Sequence, residues 1–321
     1  MGRFAHRSPA RATPYTPSPV NLWIPDRSDR DAMGELPKSV ELGLIPPHGE
    51  LPHSMLDAEF LVPSPGDSRI GELLGRMPSL RVIQALSAGV DWLLTIAPPG
   101  VTICDASGTR DVPVAEWVLA TILASRKMLS ELRDRQHEHD WHWRQSSELA
   151  GSTVMILGYG AIGAAVEARL APFDVRLIRV ARHARAGVHA VDELRDLLPH
   201  AEVLVVLLPL TQATIGLLDA DSLQRLRPGT LLVNAARGQI VDTNALVELL
   251  AAGRLKAALD VTDPEPLPPA HPLWDAPGVL LTPHMAGDTS AADRRAFALA
   301  GEQVRRYARH EPLVNVVEHG Y

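Results

Sequence analysis

Apolar residues in the first third of this chain occur in short runs that are separated by turn-forming and helix-forming residues. Strands of this length with helices or loops between them predict a small parallel α/β domain. The tight turn Ser87-Ala-Gly-Val-Asp91 follows a predicted strand at its carboxyl end, which is where ligands bind in open parallel sheets. The predicted strands are 21–25, 60–62, 80–86 and 101–104.

The rest of the chain continues this alternation with more strongly apolar runs. A helix is predicted over 114–129 behind Pro113, because proline suits a first helical turn. Another is predicted over 245–252 and is ended by Gly253. The order of the elements predicts a doubly wound parallel sheet. Its predicted strands are 154–157, 174–182, 203–209, 230–236, 257–261 and 279–282.

These patterns divide the chain into a tail and two domains. The start is rich in Arg, Pro, Ser and Thr and lacks the apolar core of a signal peptide, which predicts a disordered tail. A last helix, predicted over 291–309, is long enough to return to the first domain. The predicted bounds are 1–19 for the tail, 20–106 with 286–321 for a substrate domain, and 107–285 for a dinucleotide-binding domain.

Three glycines lie where the predicted strand 154–157 meets a helix. In a dinucleotide-binding unit Gly158 permits the tight turn, Gly160 lets the backbone approach a pyrophosphate, and Gly163 lets the helix pack closely on the strand. The N–H groups of the helix start then face the phosphates. A purely structural turn is the alternative, but the strand–turn–helix context favours a cofactor site at Gly158, Tyr159, Gly160, Ala161, Ile162 and Gly163.

Composition and charge exclude several classes of protein. Hydrophobic residues make up 46% of the chain, which predicts a soluble globular protein. A net charge of −7 provides no basic field for nucleic acid or an anionic membrane. The longest apolar stretch, 203–210, is shorter than the roughly 20 residues that span a bilayer. The single Cys104 predicts a buried, inert thiol, no cysteine metal centre and a cytoplasmic location.

The residues after the second strand of the doubly wound sheet bear on the choice of cofactor. An acid at this point would bind the ribose 2′-hydroxyl of NAD, whereas arginine accommodates the 2′-phosphate of NADP. No acid occurs between Asp174 and Asp192, and Arg179, Arg182 and Arg185 stand there instead. We therefore predict that NADP(H) is preferred, with NAD(H) as an alternative, and that Arg182 makes the main contact. The other interpretation is a solvated basic loop that tolerates either cofactor.

Candidate catalytic residues follow the last three strands of this sheet. Reduction of a 2-oxo acid needs a cation for the substrate carboxylate and a proton for the carbonyl oxygen. Arg237 is predicted to supply the cation, and His284 the proton. Glu265 would orient the imidazole. Taken singly, these residues could be a surface ion pair, a loop acid and a helix cap, but together at consecutive strand ends they favour one site.

The motifs on which these residues lie resemble those of the D-isomer-specific 2-hydroxyacid dehydrogenases, from Ser87 to Asn315 and in family order. They include SAGVD, GYGAIG, LPLT, NAARG, DVTDPEP, PH and VNVV. The resemblance implies a Rossmann nucleotide domain with a flavodoxin-like substrate domain. It implies the catalytic roles given above for Arg237, Glu265 and His284. It also implies cofactor contacts at Leu208, Pro209, Ala235, Ala236 and Asp260, with Asp260 on the nicotinamide carboxamide, and substrate carboxylate contacts at Ser87, Ala88 and Gly89.

Within this family the chain is most similar to the glyoxylate/hydroxypyruvate reductases, which also carry arginine after the second strand. Glu265 separates it from the formate dehydrogenases, which have Gln there. The resemblance therefore implies an NADPH-dependent reductase of a small 2-oxo acid that forms the D-2-hydroxy acid. The alternative is a nucleotide-sensing, corepressor-like binding protein on the same fold. Asp288 departs from the small uncharged residue that the family usually has four residues after the histidine.

Two exposed-looking tryptophans, Trp141 and Trp143, lie in a polar segment before the glycine turn. Burial against their own domain and contact with a second subunit are both compatible with this pattern. The resemblance implies a homodimer whose contact includes this segment. We therefore predict a second copy of the chain as partner, with no nucleic acid and no membrane.

Overall fold

The computed structural model describes residues 19–317. It contains two parallel sheets with helices on their faces, as the sequence predicts. The tail predicted at 1–19 lies outside the described residues except for Pro19. Within the described range, no helix is both long and apolar enough to cross a membrane.

The smaller sheet has the strand order β2-β1-β3-β4-β5, which is the flavodoxin-like order. Four of its strands lie at predicted places, but β2 was not predicted. It is a half-exposed edge strand that pairs only with β1, so its sequence carries little apolar signal. The strands are β1 (Val20–Pro25), β2 (Val40–Ile45), β3 (Phe60–Leu61), β4 (Val82–Gln84) and β5 (Thr102–Cys104).

The larger sheet has the order β12-β11-β10-β9-β6-β7-β8, in which the strand before the glycine turn lies between its two halves. This is the doubly wound Rossmann arrangement. Its central strands β6, β9 and β10 are buried along their whole length, because helices cover both faces. The strands are β6 (Thr153–Leu157), β7 (Arg176–Ala181), β8 (His189–Ala190), β9 (Val203–Val206), β10 (Thr230–Asn234), β11 (Leu255–Leu259) and β12 (Val279–Leu281).

The helix predicted over 114–129 is shifted and divided. It begins at Asp111, ends at Arg126, and is followed by a left-handed residue, Met128, with φ of 54°. A second helix therefore begins at Leu129. The helices are α1 (Ser68–Leu74), α2 (Asp91–Leu94), α3 (Asp111–Arg126), α4 (Leu129–His137), α5 (Ala161–Leu170), α6 (Leu194–Leu197), α7 (Ala220–Gln224), α8 (Thr243–Ala251) and α9 (Ser290–Ala308).

The last helix, α9, packs on the smaller sheet. Its Phe297 and Val304 are fully buried in a core shared with Leu22 of β1 and Phe60 of β3. The chain thus passes between the sheets twice, once before α3 and once between β12 and α9. Cys104 is buried, and burial raises the pKa of its thiol to about 12, which fits the predicted inert cysteine.

Candidate active site

A cleft of about 520 Å³ lies between the two sheets, where the carboxyl ends of their strands meet. Parallel sheets bind ligands at this edge because the loops that follow the strands converge there. The cleft contains predicted catalytic, cofactor and substrate residues together with others that the sequence analysis did not single out. Its lining includes Pro65, Ser87, Ala88, Gly89, Asp91, Trp92, Arg110, Ile162, Ala235, Arg237, Asp260, Glu265, His284 and Asp288.

The glycine turn between β6 and α5 has the geometry of a phosphate cradle. Gly158 has φ of 105°, and a Cβ there would lie 2.6 Å from the backbone carbon of Leu207. A Cβ on Gly163 would lie 3.1 Å from the Gly158 oxygen, so the helix packs tightly on the turn. A Cβ on Gly160 would have no atom within 4 Å. The turn is therefore closed where it packs and open where a pyrophosphate would approach the first N–H groups of α5.

The arginines predicted to bind the cofactor have different surroundings. Arg179 donates from Nε and Nη2 to both carboxylate oxygens of Glu167, at 2.6 and 2.7 Å. Tyr159 donates its hydroxyl to the same carboxylate at 2.7 Å. These bonds raise the pKa of Arg179 and lower that of Glu167. Arg182 follows β7 directly, is exposed, and forms no ion pair within residues 19–317.

Arg185 also contacts the glycine turn. Its Nη2 donates to the Tyr159 carbonyl at 2.6 Å, and its guanidinium lies 5.7 Å from the centre of the Tyr159 ring. The turn is thus flanked by positive charge that is only partly neutralised by Glu167. Sequence reasoning did not single out Glu167, because it looked for an acid after β7 and this one lies on α5.

Arg237, which follows β10, reaches across the cleft to the first domain. Its Nη2 donates to Asp91 Oδ1 at 2.7 Å and its Nε to the same oxygen at 3.2 Å. Its Nη1 donates to the Ala236 carbonyl at 2.7 Å. A Cβ on Gly89 would overlap Arg237 Nη2, so the guanidinium rests directly on the backbone of the predicted substrate loop. In that loop, Ser87 Oγ donates to the Gly89 carbonyl at 2.9 Å.

His284 follows β12 and faces the loop that carries Glu265. Its Nδ1 lies 2.5 Å from Glu265 Oε1, and both side chains are partly exposed in the cleft. The residue has a left-handed backbone with φ of 52°, and its N–H donates to the Asp260 carbonyl at 2.7 Å. Two loops from neighbouring strands therefore hold the imidazole and the carboxylate together.

Asp260 is nearly buried, and its carboxylate holds the histidine loop in place. It accepts hydrogen bonds from Thr282 Oγ1 at 2.5 Å and from the N–H groups of Met285 and Ala286 at 2.8 Å each. This residue, predicted to contact the nicotinamide, thus also fixes the segment that carries His284. The sequence motif contained Asp260 but gave no sign of these partners.

Asp288 points to Arg110, whose Nη1 binds it at 2.6 Å. Arg110 also donates to the Gly287 carbonyl at 2.7 Å and from Nη2 to Asp293 at 3.0 Å. The carboxylate that departs from the family pattern is therefore paired with a cation. Arg110 was not predicted, because its partners lie about 180 residues further along the chain.

The remaining predicted cofactor residues lie on either side of the glycine turn. The backbone N of Leu208 would be 2.8 Å from a Cβ on Gly158, which places this residue beside the turn, and Pro209 follows it. Ile162 and Ala235 line the cleft, whereas Ala236 is buried and its N–H donates to Asn234 Oδ1 at 3.0 Å.

No other part of the chain within residues 19–317 covers the segment that carries the two tryptophans. Trp141 is 100% exposed and Trp143 is 81% exposed. The preceding helix α4 contains no buried residue. Of the two interpretations of these tryptophans, burial against their own domain is wrong.

Comparison with known proteins gives consistent results. Residues 119–286 match the profile described as D-isomer specific 2-hydroxyacid dehydrogenase, NAD binding domain. The chain is 32% identical over 274 residues to a glyoxylate reductase of Thermofilum pendens, covering 81% of each protein. It is 32% identical over 300 residues to a D-3-phosphoglycerate dehydrogenase of Mycobacterium leprae, covering 89% of this chain and 56% of that protein.

A solved structure shares the fold over almost the whole length. It is an NADPH-dependent glyoxylate/hydroxypyruvate reductase of Sinorhizobium meliloti, in complex with NADP and sulfate. The TM-score is 0.79 and the identity 28%, with 94% of this chain and 98% of that chain covered.

Proposed function

This chain belongs to the D-isomer specific 2-hydroxyacid dehydrogenase family, and on that premise we propose that it reduces a small 2-oxo acid of the glyoxylate or hydroxypyruvate type with NADPH. Family membership makes it an NAD(P)-dependent oxidoreductase that acts on CH–OH groups. The product of the proposed reduction is the D-2-hydroxy acid. The observation that carries the proposal is that Arg237, Glu265 and His284 line one cleft beside the glycine turn.

The roles that we propose follow from the geometry of these groups. Arg237 binds the carboxylate of the 2-oxo acid through its planar guanidinium. The glycine turn would hold the nicotinamide cofactor, which when bound would be the source of the hydride for the carbonyl carbon. His284 gives a proton to the carbonyl oxygen from Nε2, because Nδ1 faces Glu265 at 2.5 Å. Glu265 keeps the imidazole in this orientation throughout.

We propose NADPH as the preferred cofactor because of Arg182. This side chain is exposed at the end of β7 and has no acidic partner among the described residues, so it is available for a phosphate. Arg179, which the sequence analysis also assigned to the cofactor, is held by Glu167 and supports the tyrosine of the turn instead. The similarity to an enzyme solved with NADP agrees with this choice.

The cationic side chains that line the cleft favour a small substrate without a phosphate group. Within residues 19–317 these side chains are Arg110, Arg237 and His284. Arg110 is paired with Asp288 and Asp293, and the other two have roles in the proposed reaction. A phosphorylated substrate, such as that of the phosphoglycerate dehydrogenases, would lack a cation of its own.

We further propose that the chain has a substrate domain of residues 20–106 with 286–321 and a dinucleotide-binding domain of residues 107–285.

We also propose that two copies form a homodimer through the segment around Trp141 and Trp143. Exposed aromatic residues next to a helix with no buried face support an interface.

The proposal is tested by following NADPH and NADH oxidation with glyoxylate, hydroxypyruvate, pyruvate, 3-phosphohydroxypyruvate and a bulky aromatic 2-oxo acid. Turnover of the small acids with NADPH is expected, and His284→Ala should lower kcat by about a hundredfold or more. If NADPH binds but none of these acids is reduced, the nucleotide-sensing alternative becomes the better interpretation.

The cofactor preference has its own test. Arg182→Ala should raise the KM for NADPH by about tenfold and leave that for NADH unchanged, because only NADPH carries the 2′-phosphate. Arg195→Ala is the matched control, since Arg195 pairs with Asp219 and Asp221 and does not follow β7. An equal effect of Arg182→Ala on both cofactors would contradict the assignment.

A further inference from the structure

The hydrogen bonds of Arg237 leave a defined part of its guanidinium unused. Arginine has five N–H donors in a fixed planar fork. The Nε donor and one Nη2 donor bind Asp91, and one Nη1 donor binds the Ala236 carbonyl. Within residues 19–317, one N–H on each terminal nitrogen has no protein partner. Two such donors match the two oxygens of a carboxylate.

The partners of Arg237 come from both sides of the cleft. Asp91 is the first residue of α2 and belongs to the chain segment of the smaller sheet, whereas Ala236 follows β10 of the larger sheet. The backbone of Gly89 forms the floor beneath Nη2, where a Cβ would overlap the guanidinium. The guanidinium of Arg237 is thus held by Asp91 at its Nε and Nη2 edge, by the Ala236 carbonyl at Nη1, and by the Gly89 backbone against one face.

We propose that Asp91 is a positioning residue that orients Arg237 for the carboxylate of the substrate. This inference rests on the proposed function and extends it to a residue of the other domain. A free arginine side chain loses conformational entropy when it is fixed in one orientation. Asp91 fixes Arg237 before the substrate arrives, so this cost does not fall on substrate binding.

The competing interpretation is that Asp91 opposes substrate binding, because it is itself a carboxylate on the same guanidinium. The two interpretations predict opposite signs. If Asp91 positions Arg237, its removal weakens the binding of a substrate carboxylate. If Asp91 competes, its removal strengthens that binding.

The first experiment measures the affinity of oxamate, an unreactive 2-oxo acid analogue, for the protein with NADPH bound, by titration calorimetry. We expect Asp91→Ala to weaken oxamate binding by about tenfold or more, because a misplaced binding group loses most of its interaction. Asp91→Asn should show a smaller loss, since one side-chain oxygen can still accept from both Nε and Nη2. The affinity for NADPH should stay within about twofold in both variants.

The second experiment repeats the substitution in an Arg237→Ala background. Without Arg237, Asp91 is an unpaired carboxylate in the cleft and repels an anion. In this background, Asp91→Ala should therefore strengthen oxamate binding, whereas in the parent protein the same substitution should weaken it. A general loss of structure at this site would weaken binding in both backgrounds and cannot produce the reversal.

A matched control is Asp221→Ala, which removes the ion pairs of Asp221 on α7 with Arg195 and Arg225, outside the cleft, and should leave oxamate binding unchanged. If the single variant Asp91→Ala, with Arg237 present, binds oxamate as tightly as the parent protein or more tightly, the inference is overturned. Because the readout is binding, this failure differs from failure of the proposed function, in which the parent protein turns over none of the 2-oxo acids.

Discussion

Arg179 and Arg182 are three positions apart at the end of one strand, and the structure gives them different surroundings. Arg179 forms a two-point pair with Glu167 beneath the tyrosine of the glycine turn, whereas Arg182 is exposed. Arg179 lies within β7, whereas Arg182 follows the last residue of that strand. Similar residues in one short segment therefore have different proposed tasks, support of the turn and contact with the cofactor.

The Glu167–Arg179 pair leads to a prediction about pH. The guanidinium lowers the pKa of Glu167 below its ordinary value of 4.5, chiefly through their side-chain hydrogen bonds. A carboxyl with a lowered folded pKa stabilises the protein above its unfolded pKa, and this contribution is lost as the pH falls through the folded value. Glu167→Gln should therefore destabilise the protein at neutral pH, by about 1 kcal/mol or less because the pair is partly exposed.

Thermal unfolding of Glu167→Gln and the parent protein, followed from neutral to acid pH, checks this. The difference in free energy of unfolding should shrink as the pH falls below the ordinary value. Glu248→Gln is the control, because Glu248 lies on α8 and its side chain has no hydrogen bond or ion pair in the described part of the chain. A difference that stays constant with pH would contradict the assigned cause.

Gly89 gives a second residue-scale prediction. A Cβ at this position would overlap Arg237 Nη2, the mobile end of a long side chain, so the arginine would move and the fold would remain. Gly89→Ala should therefore raise the KM for the 2-oxo acid by about tenfold or more while Tm changes little. Steady-state kinetics and calorimetry measure the two quantities. Gly75→Ala, in open space, should change neither.

At this scale, much of the candidate site could be predicted, and the omissions have a common cause. Arg237, Glu265 and His284 each follow a strand of a recognisable sheet, so their convergence follows from topology alone. Asp91 as the partner of Arg237, and Arg110 as the partner of Asp288, connect segments that are far apart in the chain. No local pattern specifies such pairs, because they depend on how the two sheets are placed.

At the scale of elements, edge strand β2 shows why sequence patterns identify buried strands best. Central strands such as β9 are apolar throughout, whereas β2 has exposed Glu41 and Leu42. Gly43 is the one residue of β2 whose type is required by the pairing with β1, because a Cβ there would overlap the Trp23 ring. Its meaning becomes clear only once the strands are paired.

Helix α9 provides a prediction about packing. Gly301 faces the backbone of Met33, which a Cβ would overlap, and backbone cannot move aside as a flexible side chain can. Gly301→Ala should therefore lower the free energy of unfolding by about 1–3 kcal/mol. Denaturant unfolding measures this, again with Gly75→Ala as control. Equal stability of the two variants would show that the helix tolerates a shift away from the first domain.

At the scale of the whole molecule, the exposed tryptophans predict an oligomer. If the proposed homodimer buries them, the parent protein should have twice the mass of one chain by light scattering. Trp141→Ser with Trp143→Ser should shift the protein to the monomer, because large aromatic side chains contribute most of the energy of such contacts. Trp274→Ser, which changes another exposed tryptophan, should remain dimeric. A monomeric parent protein would contradict the proposal.

The arrangement of the cleft also bears on how new specificities could arise. The glycine turn, Arg237, Glu265 and His284 lie on one continuous stretch of chain, while Trp92 and Pro65, which form part of the opposite wall, come from the other sheet. The groups to which we assign hydride and proton transfer are thus inherited together, and the wall residues that do not contact Arg237 can vary independently of them. A descendant that acquires a different wall by gradual substitution, while it keeps Asp91 and Gly89 beneath Arg237, would keep the proposed reaction and change the molecule on which it is performed.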